Sequence, residues 1–142
     1  MSDSGWFERD VPIPNVASGY TRLSLDGSDG PDRQVAPADP VTGWRNNIYA
    51  APARGSSAGG GYSTASDLLK LGAALESGAL LNQRDTAGVV GPGIGVAGGA
   101  PGVNADLEID PQSGYMLVVL SNYDPPAAED VAKTIRGWIG LE

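Results

Sequence analysis

"VNADLEIDPQSGYMLVVLSN", Val103 to Asn122, is the stretch that decides the fold. Its first half alternates. Val103, Ala105, Leu107 and Ile109 face one way, and Asn104, Asp106, Glu108 and Asp110 face the other. A period of two is the signature of a half-buried strand. The "PQSG" in the middle is a turn, with Pro111 suited to the first corner and Gly114 to a left-handed exit. "YMLVVLSN" is a second strand, more apolar and therefore more central. The two read as an antiparallel hairpin. The polar row from Asn104 to Asp110 reads as its solvated outer face.

Downstream, Asp124 is an N-cap candidate and Pro125 suits a first helical position. Glu129 and Asp130 precede Lys133 and Arg136, the order the helix dipole favours. Ala128, Val131, Ala132, Ile135, Trp138 and Ile139 form one apolar stripe. That stripe is expected on the hairpin face of Leu107 and Ile109, or on their neighbours in the second strand. A buried Trp138 truncated to alanine would then cost about 3–5 kcal/mol.

Upstream, "GIGVAGGAPG", Gly93 to Gly102, is glycine-rich with room for a short strand. Before it, Thr64 and Asp67 form a capping-box-like pair. Leu68, Leu71 and Leu75 follow at helical spacing, with Leu69 and Ala73 beside them, and Gly78 is a stop. The helix is expected over 65–77. Tyr20 to Leu25 is a short strand candidate, Asp26 to Asp32 a loop, and 33–62 mostly coil. The element order predicts an α+β fold with an antiparallel β-sheet and two main helices. It forms a single domain over 1–142, mostly irregular over 1–62, with helix, β-hairpin and C-terminal helix over 63–142.

Composition narrows the chemistry. The chain has 142 residues, 21 Gly, 11 Pro and a net charge of -8. The charge argues against nucleic acid and anionic membranes, which need a cationic partner. No cysteine is present, so no disulfide or zinc-thiolate site is expected. No histidine is present, which removes the commonest general base near neutral pH. No metal and no cofactor are expected. No apolar run approaches a membrane span. The N-terminus lacks the basic start and apolar core of a signal peptide, so the sequence as it stands reads as cytoplasmic.

Several short motifs match catalytic or binding patterns. Gly55-Ser56-Ser57-Ala58-Gly59 fits G-x-S-x-G and makes Ser57 a nucleophile candidate. A nucleophile elbow needs a preceding strand, an immediate helix and a base; a flexible turn is the plainer reading. Gly93-x-Gly95-x-x-Gly98 fits the dinucleotide fingerprint, but Pro101 and a strand follow where a helix is needed. Asp26, Asp29 and Asp32 miss the calcium-loop spacing and read as a solvated tip. A serine–lysine pair is the histidine-free route to acyl transfer. The only lysines are Lys70 and Lys133, preceded three residues earlier by Asp67 and Asp130, so S-x-x-K is absent.

In combination, these segments resemble serine β-lactamase-related proteins: class C β-lactamases, penicillin-binding DD-peptidases and related esterases. "SSAGGGYSTASDLLKLGAALESGALL", Ser56 to Leu81, resembles the stretch that follows the active-site core. "MSDSGWFERD" resembles the family's GM-x-D-T-G-F segment, and "NVASGYTR", Asn15 to Arg22, its N-x-A-x-G-Y strand. Gly98 to Asn122 resembles its late strand pair, and "AAEDVAKTIRGWIG", Ala127 to Gly140, its C-terminal helix. The resemblance covers nearly the whole chain, yet corresponds only to the family's C-terminal half.

The resemblance implies a truncated β-lactamase-like, DD-peptidase-like domain. It also implies where chemistry is missing. The family's S-x-x-K and Y-x-N or S-x-N motifs precede the segment matched by Met1 to Asp10, and neither pattern occurs in this sequence. The third motif, K-T-G or H-x-G, aligns with Val96, Ala97 and Gly98, where only the glycine remains. The segment between Leu81 and Gly93 is also shorter than the family's. The expectation is a domain without acyl-transfer activity on its own. The alternatives are half of a split enzyme completed by a chain carrying the S-x-x-K half, or a non-catalytic binding or assembly module such as a homodimer. Against an exposed sheet, residues 26–62, with Trp44, Ile48 and Tyr49, are the expected cover.

Overall fold

The computed structural model describes residues 1–8, 10–23, 36–50 and 53–140. The acidic tip with Asp26, Asp29 and Asp32 lies outside them. Its centre is a three-stranded antiparallel sheet of β5 (Ile94–Ala100), β6 (Val103–Asp110) and β7 (Tyr115–Ser121), in the order β5-β6-β7. In register, Ile109 opposes Ile94 on one side and Met116 on the other. The hairpin and the short strand before it form as their sequences predict. The fold is mixed α+β with antiparallel sheets. Among the described residues it has three helices, α1 (Ala65–Glu76), α2 (Gln83–Val90) and α3 (Ala127–Ile139).

α1 and α3 cover opposite faces of the sheet. α1 comes so close that a Cβ on Gly72 would lie 2.7 Å from Met116 Sδ and 3.3 Å from Ile109 Cδ1. Ile109 is accordingly buried. α3 lies on the other face, and two expectations fall with it. The polar row is only partly solvated: Asn104 and Asp106 are buried beneath α3, where Asn104 accepts the Ala128 N–H, while Glu108, paired with Arg136, and Asp110 keep partial exposure. The stripe facing the sheet is centred on Ala128 and Ala132, both fully buried, with Ile135 and Arg136 half-buried. Trp138 is 80% exposed. At about 100° per residue it sits roughly 80° around the helix from Ala128, at the edge of the contact face.

The helix ends also refine the sequence reading. Thr64 caps α1 by accepting the Asp67 N–H, as expected. Asp124 does not cap α3, which starts at Ala127 with Pro126 in the cap position and no side-chain cap bond. Instead Asp124 accepts the backbone N–H groups of Gly102 and Arg22, binding the β5–β6 turn to the N-terminal part. Burial pulls its carboxyl upward, but Thr21 and the surrounding backbone donors together hold it below the usual value. α2 is an addition to the predicted elements. Asn82 caps it by accepting the Asp85 N–H, and Val90 is buried.

The N-terminal part is irregular, held by four two-residue strands. β1 (Gly5–Trp6) pairs with β4 (Gly61–Tyr62), and β2 (Tyr20–Thr21) with β3 (Arg45–Asn46). Of the strand expected from Tyr20 to Leu25, Tyr20 and Thr21 are strand and Arg22 and Leu23 are not, while Ser24 and Leu25 lie outside the described residues. Of the expected cover over 26–62, residues 26–35, 51 and 52 lie outside the described residues. Asn47 docks on the β5–β6 turn through Pro101 O, and Trp44 packs on Tyr123, but Ile48 and Tyr49 stay exposed. Among the described residues no helix is long and apolar enough to cross a membrane.

Candidate functional site

Val96, Ala97 and Gly98 lie on β5, an edge strand, opposite Leu107, Asp106 and Ala105. All three are exposed, Val96 at 56%. The strand is anchored from behind. Asn104 Nδ2 donates to Gly98 O at 2.9 Å, and Asn104 Oδ1 accepts the Ala128 N–H at 2.6 Å. One buried amide therefore links the aligned third-motif glycine to the N-terminus of α3. Position 96 presents an isopropyl group to solvent, with no capacity to hold a carboxylate or move a proton.

Ser57 sits elsewhere and in a different geometry from an elbow. Ser56 N donates to Gly59 O at 2.7 Å and Gly59 N to Ser56 O at 3.0 Å, closing a tight loop with Ser57 and Ala58 at its tip. α1 begins only at Ala65. Ser57 is exposed, and among the described residues no hydrogen bond joins it to a base. The glycines after it serve a sharp backbone path, Gly59 and Gly60 having φ of 151° and 81°.

The lysines do not supply the missing base. Lys70 Nζ lies 2.8 Å from Asp67 Oδ1, and that hydrogen bond and charge raise its pKa. A lysine held protonated accepts no proton. Lys133 is an exposed residue on α3. Asp67 is the centre of a network that the sequence reading missed. Besides Lys70 it accepts the Asp3 N–H at 2.9 Å and the Ser4 hydroxyl at 3.0 Å, while Ser4 Oγ is 2.7 Å from Ser63 Oγ. The Lys70 bond, then the Asp3 and Ser4 donors, hold its carboxyl far below the usual range. So weak a base does not activate a serine; the network ties the chain start to α1. Its only sequence signal was the S-T-x-x-D run itself.

Among the described residues, no cluster of three or more acidic side chains has metal-holding geometry. An open groove lies beside Tyr20, Trp44 and Tyr123.

No protein-family profile matches the sequence, and no curated protein matches it. Among solved structures, a penicillin-binding protein from Bacillus halodurans is similar over 95% of this chain, with a TM-score of 0.75 and 29% identity. The fold is penicillin-binding-protein-like. The match occupies 44% of that protein's chain, so this chain spans less than half its length.

Proposed function

We propose that this chain is a penicillin-binding-protein-like domain that performs no acyl transfer by itself. The observation that carries the reading is at Val96. The edge strand that would present the third motif carries an exposed valine where the resemblance places a lysine or histidine. The remaining groups support it, since Ser57 lies on a turn tip and Lys70 is bound to Asp67. The test is turnover of a chromogenic cephalosporin and of a p-nitrophenyl ester by the pure chain. Both should stay at the buffer rate; turnover abolished by Ser57→Ala would reverse the reading.

A second reading, half of a split acyl-transfer enzyme, has its own support. The similar structure continues for more than half its length beyond the match. The outer edge of β7 has no strand partner among the described residues over Tyr115–Ser121. Val131 and Trp138, two turns apart on one side of α3, are exposed, an apolar margin that a further segment would cover. On this reading, a polypeptide carrying S-x-x-K and Y-x-N restores penicillin acylation when mixed with this chain. A homodimer covers the same surface without chemistry, and the molecular mass in solution separates the two.

A further inference from the structure

An open groove of about 540 Å³ lies between the β2–β3 pair and the segment leaving β7, within the size range of small-ligand sites. Its wall is aromatic. The Tyr20 and Tyr123 rings lie 6.0 Å apart with 32° between their planes, and Trp44 meets Tyr123 edge-on at 4.9 Å. Tyr20 and Tyr123 remain 39% and 43% exposed, so part of each ring is open to a ligand. Trp44 is half-buried and held on a second side, where the Arg22 guanidinium lies over its ring 4.4 Å from the centroid. The wall is therefore fixed before a ligand arrives, which lowers the cost of binding.

The polar lining is balanced in charge. Arg45 and Asp39 both line the groove. The Thr42 N–H, the Thr42 hydroxyl and the Val41 N–H hold the Asp39 carboxyl below its usual value, so at neutral pH it is ionised and offsets Arg45. All three of those hydrogen bonds go to Asp39 Oδ1, which among the described residues leaves Oδ2 of this exposed side chain as an acceptor. Asn46, also in the lining, has the opposite arrangement. Its Oδ1 accepts the Ile48 N–H at 2.8 Å, which leaves its NH2 as a donor. An ion of either sign gains little from a lining whose charges cancel. Hydroxyl groups, which both donate and accept, suit a lining that offers one acceptor and one donor.

We propose that the groove binds a neutral oligosaccharide. A sugar ring has a flat side of C–H groups, polarised positive by the neighbouring oxygens, and the negative face of a tyrosine ring attracts them. The hydroxyls around its rim meet Asp39 Oδ2 and the Asn46 NH2. Because the groove is open, a chain of sugars can run across it. Two sources share this chemistry, a glucan with free hydroxyls and an N-acetylated glycan. The site is independent of the acyl-transfer question, because it uses neither β5 nor Ser57.

The test titrates the ¹⁵N-labelled full chain with maltotriose, cellotriose and triacetylchitotriose, beside sorbitol and decaproline. At least one sugar should shift the Trp44 indole and Asn46 side-chain resonances saturably, and added sodium chloride should leave its affinity unchanged, because a neutral ligand has no charge to screen. Saturation by triacetylchitotriose alone assigns an N-acetylated glycan, and saturation by a glucose trimer assigns a glucan. Sorbitol has the hydroxyls without a ring and should not saturate the shift at the same concentrations. Tyr123→Leu keeps apolar bulk but removes the ring, and should weaken binding about tenfold, a difference of about 1.4 kcal/mol. Tyr123→Phe keeps the ring and should bind as wild type does, and Trp138→Ala should leave binding unchanged. The comparison of sugar with sorbitol needs no variant and decides the matter if Tyr123→Leu does not fold. No saturable shift from any of the sugars into the millimolar range overturns the proposal. So does equal binding of sorbitol, an affinity that falls steeply with salt, wild-type affinity in a folded Tyr123→Leu, or an equal loss in Tyr123→Phe. Saturation by decaproline alone also overturns it and gives the groove to a proline-rich peptide.

Discussion

At the scale of single residues, three buried polar groups decide how this molecule holds together. Asn104 uses both ends of its amide, one on Gly98 O and one on the Ala128 N–H. Truncation leaves both partners unsatisfied, at about 1–3 kcal/mol each. Asn104→Ala should therefore lower stability by at least about 2 kcal/mol in denaturant unfolding and open the Ala128 amide to hydrogen exchange. Asp106 is the opposite case. Burial raises its pKa; Arg136 pulls it back and Glu129 pushes it further up, and among the described residues its Oδ1 lacks a partner. A raised carboxyl costs stability above its folded pKa, and the cost is relieved as pH falls through that value. Asp106→Asn should thus stabilise the protein at pH 7, by on the order of 1 kcal/mol, and the gain should shrink on acidification. Asp67, with its pKa strongly lowered, contributes stability above its unfolded value near 4 and loses it as pH falls further. The difference between wild type and Asp67→Asn should be constant near neutrality and close below about pH 5. A difference that widens on acidification would contradict the Asp67 network.

At the scale of elements, legibility followed local signals. The hairpin was readable because alternation and the "PQSG" turn agree, and α1 because Thr64 and the leucine spacing agree. α2 was not, because eight residues containing a glycine give too short a period. The polar row was assigned to water because an alternating strand looks half-solvated. Which face is covered is a tertiary matter, decided by where α3 lands. The same limit explains Trp138. Bulk made it look like core, yet close approach to the sheet was possible only through Ala128 and Ala132. Trp138→Ser in the isolated chain should change stability by no more than about 0.5 kcal/mol, as for an exposed site, against the several kcal/mol of a core tryptophan. A thermal melt of the two proteins checks this, and a large loss would place Trp138 in an interface.

At the scale of the whole molecule, the sequence showed what the candidate site lacks better than what the fold presents. The missing S-x-x-K and Y-x-N and the replacement at Val96 are matters of residue identity, legible without coordinates. The aromatic groove was not legible, because Tyr20, Trp44 and Tyr123 are far apart in sequence and meet only through the β2–β3 pair and the end of β7. Nor was the sheet's double cover, or the exposed apolar margin of α3 at Val131 and Trp138. The molecule has a penicillin-binding-protein-like fold whose β5 is anchored through Asn104 and carries only Gly, Ala, Val and Ile side chains. The most direct measurement is the intact mass of the pure chain after prolonged incubation with excess benzylpenicillin. The account predicts an unchanged mass. A stoichiometric penicilloyl adduct, mapped to Ser57 or any other serine, would contradict it.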